Sequence, residues 1–201
     1  MIEVWDKMIK TEKNWNRRYY KWNFRSLLLP YISRSKRHLD FGCGFGFLTY
    51  ILAKEYPRTM FYGIDIDKER IKIGRKRYSR VNLKLRCSNK IIGKFDSMSM
   101  CFVIHHLGNM TKQYLKELYK HLNPNGKIIV FDFRKVSKSR YKKWYDKKVK
   151  EGEYEDSFEK SYQTHNRWTI KEFSSLMEKI GFKTILTKPI GDLRFLYVGE
   201  K

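Results

Sequence analysis

The sequence predicts an α/β fold, a mainly parallel sheet flanked by helices, and three observations predict it. From residue 36 onward, short apolar runs alternate with helix-like patterns, the order that calls for parallel strands joined through helices. The first run, Lys36 to Phe41, ends in three alternating glycines, Gly42, Gly44 and Gly46. The second, Met60 to Asp65, ends in an acid about 20 residues after that turn, where a doubly wound fold holds a ribose.

Each element follows in order. Lys36 to Phe41 reads as the first strand and Gly46 to Glu55 as its helix, with Pro57 marking the stop. Met60 to Asp65 is the second strand. Asp67 is an N-cap for a helix through about Tyr78, with Ile71 and Gly74 on its packing side. Asn82 to Cys87 forms the third strand and Asp96 to Ile104 the fourth. Thr111 caps a helix through His121, which carries Tyr114, Leu115 and Leu118 at helical spacing. Asn123-Pro124-Asn125-Gly126 is a turn into a fifth strand, Lys127 to Phe133. Val136 to Thr164 then delays the next element. Tyr141, Trp144, Tyr145 and Val149 recur there at spacings of three or four, as on a helix. Thr169 caps Ile170 to Ile180, and Gly181 ends that helix. Phe182 to Lys188 and Arg194 to Val198, joined by Pro189-Ile190-Gly191-Asp192, read as a hairpin.

A chain of 201 residues fits one domain with a substantial core. Hydrophobic residues at 41% and charged residues at 32% exclude a disordered chain. No apolar segment approaches the roughly 20 residues that cross a bilayer. The opening Met1-Ile2-Glu3-Val4-Trp5-Asp6-Lys7 carries acids in place of an apolar signal core. Cys43, Cys87 and Cys101, odd in number and without metal-ligand spacing, read as reduced thiols of a cytoplasmic protein. The formal charge of +23 raises nucleic acid as a partner, since basic faces supply phosphate affinity. The excess is dispersed, however, over the segment holding Arg17, Arg18, Lys21 and Arg25, over Lys68 to Lys94, and over Arg134 to Lys150. Because Lys, Ile, Tyr, Asn and Phe are plentiful together, a compositional bias is favoured over a dedicated nucleic-acid surface.

The glycine turn narrows the ligand. A dinucleotide fingerprint reads Gly-x-Gly-x-x-Gly, its last glycine letting helix and strand pack closely. Gly42 and Gly44 fit, but Phe47 holds the third position and the third glycine comes one place early, at Gly46. Asp40, two residues ahead of the turn, would repel a pyrophosphate at the positive helix N-terminus, and it suits a ligand with an ammonium group. Asp40-x-Gly42-x-Gly44-x-Gly46, with Asp65 closing the next strand, resembles the class I S-adenosylmethionine-dependent methyltransferases. The resemblance covers residues 36–201 and implies a Rossmann-like seven-stranded sheet, order 3-2-1-4-5-7-6, with the last strand antiparallel. It implies S-adenosylmethionine as cofactor, with the glycine loop against its methionine part, Asp65 on the ribose hydroxyls and Ile66 against the adenine face. Relatives carry Gly-Asp-Ala after the third strand, where the Asp receives the adenine amino group. Here the run is Cys87-Ser88-Asn89, so Ser88 or Asn89 takes that place without charge assistance.

Ligands of such sheets lie beyond the carboxyl ends of the strands, near the switch in strand order. The fourth strand's end, Ile104-His105-His106-Leu107, is therefore expected to face the cofactor and the transferring methyl. Base-amino methyltransferases typically place Asp or Asn, then Pro-Pro and an aromatic, at this point. Val103-Ile104-His105-His106-Leu107 instead resembles the small-molecule branch, which includes quinone-biosynthesis C-methyltransferases. Methyl transfer from a sulfonium is an in-line displacement with an activated leaving group, so positioning and desolvation carry most of it. A general base matters where the acceptor loses a proton early, and His105 and His106 are the candidates, against a purely structural role for either. Asp132, ending the fifth strand, and His165 and Arg167, ahead of the last helix, are acceptor-side candidates by topology.

Residues 1–34 lie outside the resemblance. Trp5, Trp15, Tyr19, Tyr20, Trp22 and Phe24 interleave there with Lys and Arg. Four readings stay open: a helical lid with Tyr19 and Trp22 against the acceptor, a peripheral membrane element, a nucleic-acid stacking surface, or helices packed on the sheet. The expected organisation is this extension followed by a catalytic domain over 35–201, with 135–165 inserted near the acceptor. The expected function is methyl transfer to a small or lipid-like acceptor. RNA or protein methylation, and cofactor binding without catalysis, are the alternatives.

Overall fold

The computed structural model describes residues 24–32, 34–151 and 156–201, together with positions 3, 6, 9 and 10. The expected contacts Tyr19 and Trp22 lie outside the described residues. The chain runs α1 (Phe24–Ile32), β1 (Arg37–Phe41), α2 (Phe47–Glu55), β2 (Met60–Asp65), α3 (Lys68–Arg77), β3 (Leu83–Cys87) and β4 (Phe95–Cys101). It continues through a single turn α4 (Ile104–Leu107), a 3-10 turn (Gly108–Met110), α5 (Thr111–His121), β5 (Leu122–Phe133), α6 (Lys138–Lys150), α7 (Phe158–His165), α8 (Ile170–Ile180), β6 (Lys183–Ile190) and β7 (Arg194–Glu200). The sheet has seven strands in the order β3-β2-β1-β4-β5-β7-β6, as the resemblance implied. The first five strands pair in parallel and β7 runs antiparallel to β5 and β6.

Side chains of the central strands alternate between two cores, as the strand period of two requires. Ile128 and Val130 of β5, with Phe195 and Tyr197 of β7, meet Leu115 and Leu118 of α5 and Phe173 and Met177 of α8. Ile129, Phe131, Leu196 and Val198 point the other way, onto Leu48 and Leu52 of α2 and Leu27, Leu28 and Ile32 of α1. Helix α1 is thus part of the layer that covers the sheet. A smaller cluster of Phe45, Phe47, Ile73 and Tyr78 joins the glycine loop to α3. That contact is tight: a Cβ on Gly74 would stand 2.2 Å from the Phe45 carbonyl oxygen.

Local signals account for most boundaries. The Asp67 carboxylate accepts from the Arg70 N–H, and Thr169 with Glu172 completes a capping box at α8. Gly181 adopts φ 118° at the end of α8. Three expectations need correction. β4 stops at Cys101 rather than running to Ile104. Phe102 turns left-handed, with φ 60°, and the Ile104 N–H leaves the ladder for Asp132 Oδ2 at 2.7 Å. Thr111 opens α5 without capping it, because its hydroxyl donates back to the Gly108 carbonyl at 2.7 Å. The run Asn123 to Gly126 is absorbed into β5 as an irregularity, between the pairs Phe95↔Leu122 and Ser97↔Lys127.

Candidate active site

The ends of β1, β2 and β4 and the turns that follow them open onto one cavity of about 610 Å³. Its wall includes Gly42 and Gly44 of the first turn, Asp65 to Asp67 after β2, Ser88 and Asn89 after β3, and His106 and Leu107 of α4. Gly42, Gly44 and Gly46 all adopt positive φ, at 73°, 57° and 78°. Their neighbours differ. A Cβ at Gly42 would strike Val103 at 2.5 Å, and one at Gly46 would strike Leu85 at 2.6 Å, whereas nothing lies within 4 Å at Gly44. Gly44 therefore offers bare backbone to a ligand. Gly46 serves the packing of loop on strand and is not on the cavity wall.

Asp65 is half-buried and already organised. One carboxylate oxygen accepts from the Gly44 N–H at 2.8 Å and the other from the Asp67 N–H at 2.9 Å. A carboxylate has about four acceptor positions, so two remain for a vicinal diol. Ile66 beside it is 76% exposed, an apolar side chain with nothing over it, as an adenine-facing residue must be. The Ser88 hydroxyl is engaged with the Lys90 N–H and carbonyl at 2.9 and 3.0 Å, which leaves the neighbouring Asn89 as the freer polar group on that rim. Arg70, Phe41, Phe102 and Tyr114 also line the cavity. From the sequence, Phe41 belongs to the first strand and Tyr114 to a helix face, neither with a site role, and nothing marks Arg70 or Phe102.

Two cofactor expectations change. Asp40 is buried behind the loop rather than on the cavity wall, its oxygens accepting from Thr49 Oγ1 at 2.6 Å and Ser99 Oγ at 2.8 Å. Burial pushes its carboxyl up to about 6, against the pull of those two hydroxyls. Ile104 is 1% exposed and belongs to the core, because the helical turn rotates its side chain inward.

Beyond the cavity, Asp132 organises the α4 turn. Its Oδ2 holds the Ile104 N–H, and its Oδ1 accepts from His105 Nδ1 at 2.6 Å and the Phe133 N–H at 2.7 Å. With Nδ1 donating to the carboxylate, Nε2 is the ring nitrogen not engaged by Asp132. Its ring lies 3.9 Å from His106 and 4.7 Å from His165, centroid to centroid. His105 is buried, and His106 is the histidine that lines the cavity. Desolvation holds His106 down to about 4, aided by His105, and holds His165 down to about 3. His165 is fixed by the Tyr141 hydroxyl at 2.8 Å from its Nδ1 and packs 4.2 Å from the Phe133 ring. Arg167 is exposed, donates from Nε to the Thr164 carbonyl, and stands near Gly108. The topology therefore brings His105, His106, Asp132 and His165 together and leaves Arg167 at the rim. Among the described residues no group of three or more His, Cys, Asp or Glu side chains is arranged to hold a metal ion.

Comparison with known proteins bears on the domain and the fold. Residues 39–128 match the family described as a methyltransferase domain. The chain is 24% identical over 185 residues to a ubiquinone/menaquinone biosynthesis C-methyltransferase (UbiE) of Geotalea uraniireducens, covering 82% of this chain and 78% of that protein. It is 26% identical over 106 residues to a malonyl-[acyl-carrier protein] O-methyltransferase of Priestia megaterium, covering 47% of this chain but 36% of that protein. Among solved structures, the plantazolicin methyltransferase BpumL in complex with S-adenosylhomocysteine superposes with a TM-score of 0.69, at 17% identity over 98% of this chain and 90% of that one. The matched methyltransferase domain and the sheet order together support a class I S-adenosylmethionine-dependent methyltransferase.

Proposed function

We propose that this protein transfers a methyl group from S-adenosylmethionine to a small or lipid-like acceptor placed beside His105 and His106. The observation that carries the reading is one cavity wall shared by bare Gly44 backbone, the pre-organised Asp65 carboxylate, exposed Ile66 and His106. Asp65 would hold the ribose diol, Ile66 the adenine face, Asn89 the adenine edge, and the Gly42–Gly44 backbone the methionine part. The cofactor supplies a methyl already activated by its sulfonium. Phe41, Phe102 and Tyr114 present aromatic rings to the same space, and ring faces attract a cation without hydrating it. His105, with Nδ1 committed to Asp132, keeps Nε2 as a proton acceptor for an acceptor group that must ionise. The named activities of the C- and O-methyltransferase relatives support an acceptor of small-molecule or lipid-like type. The free cysteines support a reducing, cytoplasmic location. Labelled S-adenosylmethionine incubated with a metabolite extract tests the reading. Label is expected in an extractable small molecule, and label confined to RNA or protein would overturn it.

A further inference from the structure

Under α1 and α2, where β5 and β7 present apolar side chains, β1 and β4 present polar ones. Ser97 and Ser99 stand opposite His38 and Asp40, and all four are buried. Their hydrogen bonds form one chain. Ser35 Oγ donates to Ser97 Oγ at 2.7 Å, and Ser97 Oγ lies 2.7 Å from His38 Nδ1. His38 Nε2 lies 3.0 Å from Ser99 Oγ, which donates to Asp40 Oδ1 at 2.8 Å. Counting protons fixes the direction, because a hydroxyl has a single hydrogen. Ser99 gives its hydrogen to Asp40 and so accepts from His38, which places the imidazole proton on Nε2. A neutral ring then has a bare Nδ1, which accepts from Ser97, and Ser97 accepts from Ser35. Every donor in the chain points toward the carboxylate.

We propose that His38 is a positioning residue for the methyl-donor site: relayed through Ser99, its Nε2–H holds Asp40 as a fixed anion at the foot of the glycine loop. The proposal rests on the cofactor reading above. It adds that Asp40, buried behind the loop and off the cavity wall, acts on the cofactor's cationic end by its charge rather than by contact. Asp40 needs such help. Burial disfavours its charge, and Asp65, of like sign, disfavours it further. Hydrogen bonds to an ionised acceptor are stronger than neutral ones, and each polarises the next. An apolar side chain at position 38 would leave Ser97 and Ser99 without their common partner and favour a neutral Asp40 with no pull on a cation. His38 itself is held neutral, down to about 3, by burial, as a relay that never charges requires.

Nitrogen-15 NMR of the histidine-labelled full chain reads the tautomer directly, with His38 assigned by comparison with His38→Gln. The expected state at pH 7 is a neutral ring protonated on Nε2. An Nδ1-protonated ring or an imidazolium overturns the proposal. Calorimetric titration with S-adenosylmethionine supplies the second readout. His38→Leu and Ser99→Ala are each expected to weaken binding about ten-fold, and His38→Gln, whose amide both donates and accepts, by less than about three-fold. In an Asp40→Asn background, His38→Leu should add nothing. Equal losses in both backgrounds overturn the relay while leaving Asp40 as the anchor. An Asp40→Asn variant that binds like wild type overturns the anchor and the relay together. If His38→Leu does not fold, Ser99→Ala and the wild-type tautomer decide.

Discussion

Asp65 and Asp132 carry different halves of the proposed reaction, and substitutions should separate them. Asp65 bonds both to the glycine loop and to the Asp67 backbone, so Asp65→Ala removes the proposed ribose acceptor and loosens the loop as well. Calorimetry should show S-adenosylmethionine binding weakened on the order of 100-fold, the value of one or two charge-assisted hydrogen bonds. Unchanged affinity would end the site assignment. Asp132→Asn keeps the shape but puts an amide against His105 Nδ1 and permits the other tautomer. Turnover of an acceptor that must lose a proton should fall by about 10² or more with cofactor affinity retained. Loss of both together would instead mark Asp132 as structural.

Among the elements, α8 was the most legible, and it gives the simplest stability test. Thr169 accepts from the Glu172 N–H at 3.1 Å, and Glu172 returns a bond to the Thr169 N–H at 2.8 Å. Thr169→Ala should lower unfolding free energy by about 1 kcal/mol in urea titrations, with cofactor binding unaffected. Caps of this kind, the glycine turn and Asp65 could be read directly because their causes lie within a few residues. The end of β4 could not. It depends on Asp132, 28 positions away in the chain, drawing off the Ile104 N–H. The same distance hides the Asp132–His105 pair, which exists because β5 lies beside β4 in one particular register. His38 carried no signal either, since Ser97 and Ser99 become its partners only once β1 and β4 are aligned. Helix α7 went unread, and with it the Tyr141–His165 bond that ties α6 to the acceptor side.

Across the whole molecule, buried histidines should make the fold acid-labile. His38 and His165 are both held down to about 3 from 6.5, mainly by burial. Below 6.5 the unfolded chain takes up protons that the native state refuses, so their contribution is complete above that pH and drains away toward 3. Each adds a slope of up to about 1.4 kcal/mol per pH unit. Asp40 works in the opposite sense between 3.8 and about 6, because there the native state keeps a proton the unfolded chain has released. Denaturant melts at stepped pH should therefore show stability falling between pH 6.5 and 4, and His38→Gln should flatten that slope. The basic charge is partly neutralised within the fold: Lys138, Lys142 and Lys148 of α6 pair with Glu159, Asp146 and Glu151. The close seat of Gly74 against the Phe45 carbonyl bears on how a ligand enters. The two ends of the glycine turn are packed, Gly42 on Val103 and Gly46 on Leu85, while Gly44 between them is open. The α4 segment, a single helical turn reached through the left-handed Phe102, lines the same cavity. Amide hydrogen exchange should accordingly be slow at Gly42, Cys43 and Gly46, faster through His106 and Leu107, and S-adenosylhomocysteine should slow the second group far more than the first.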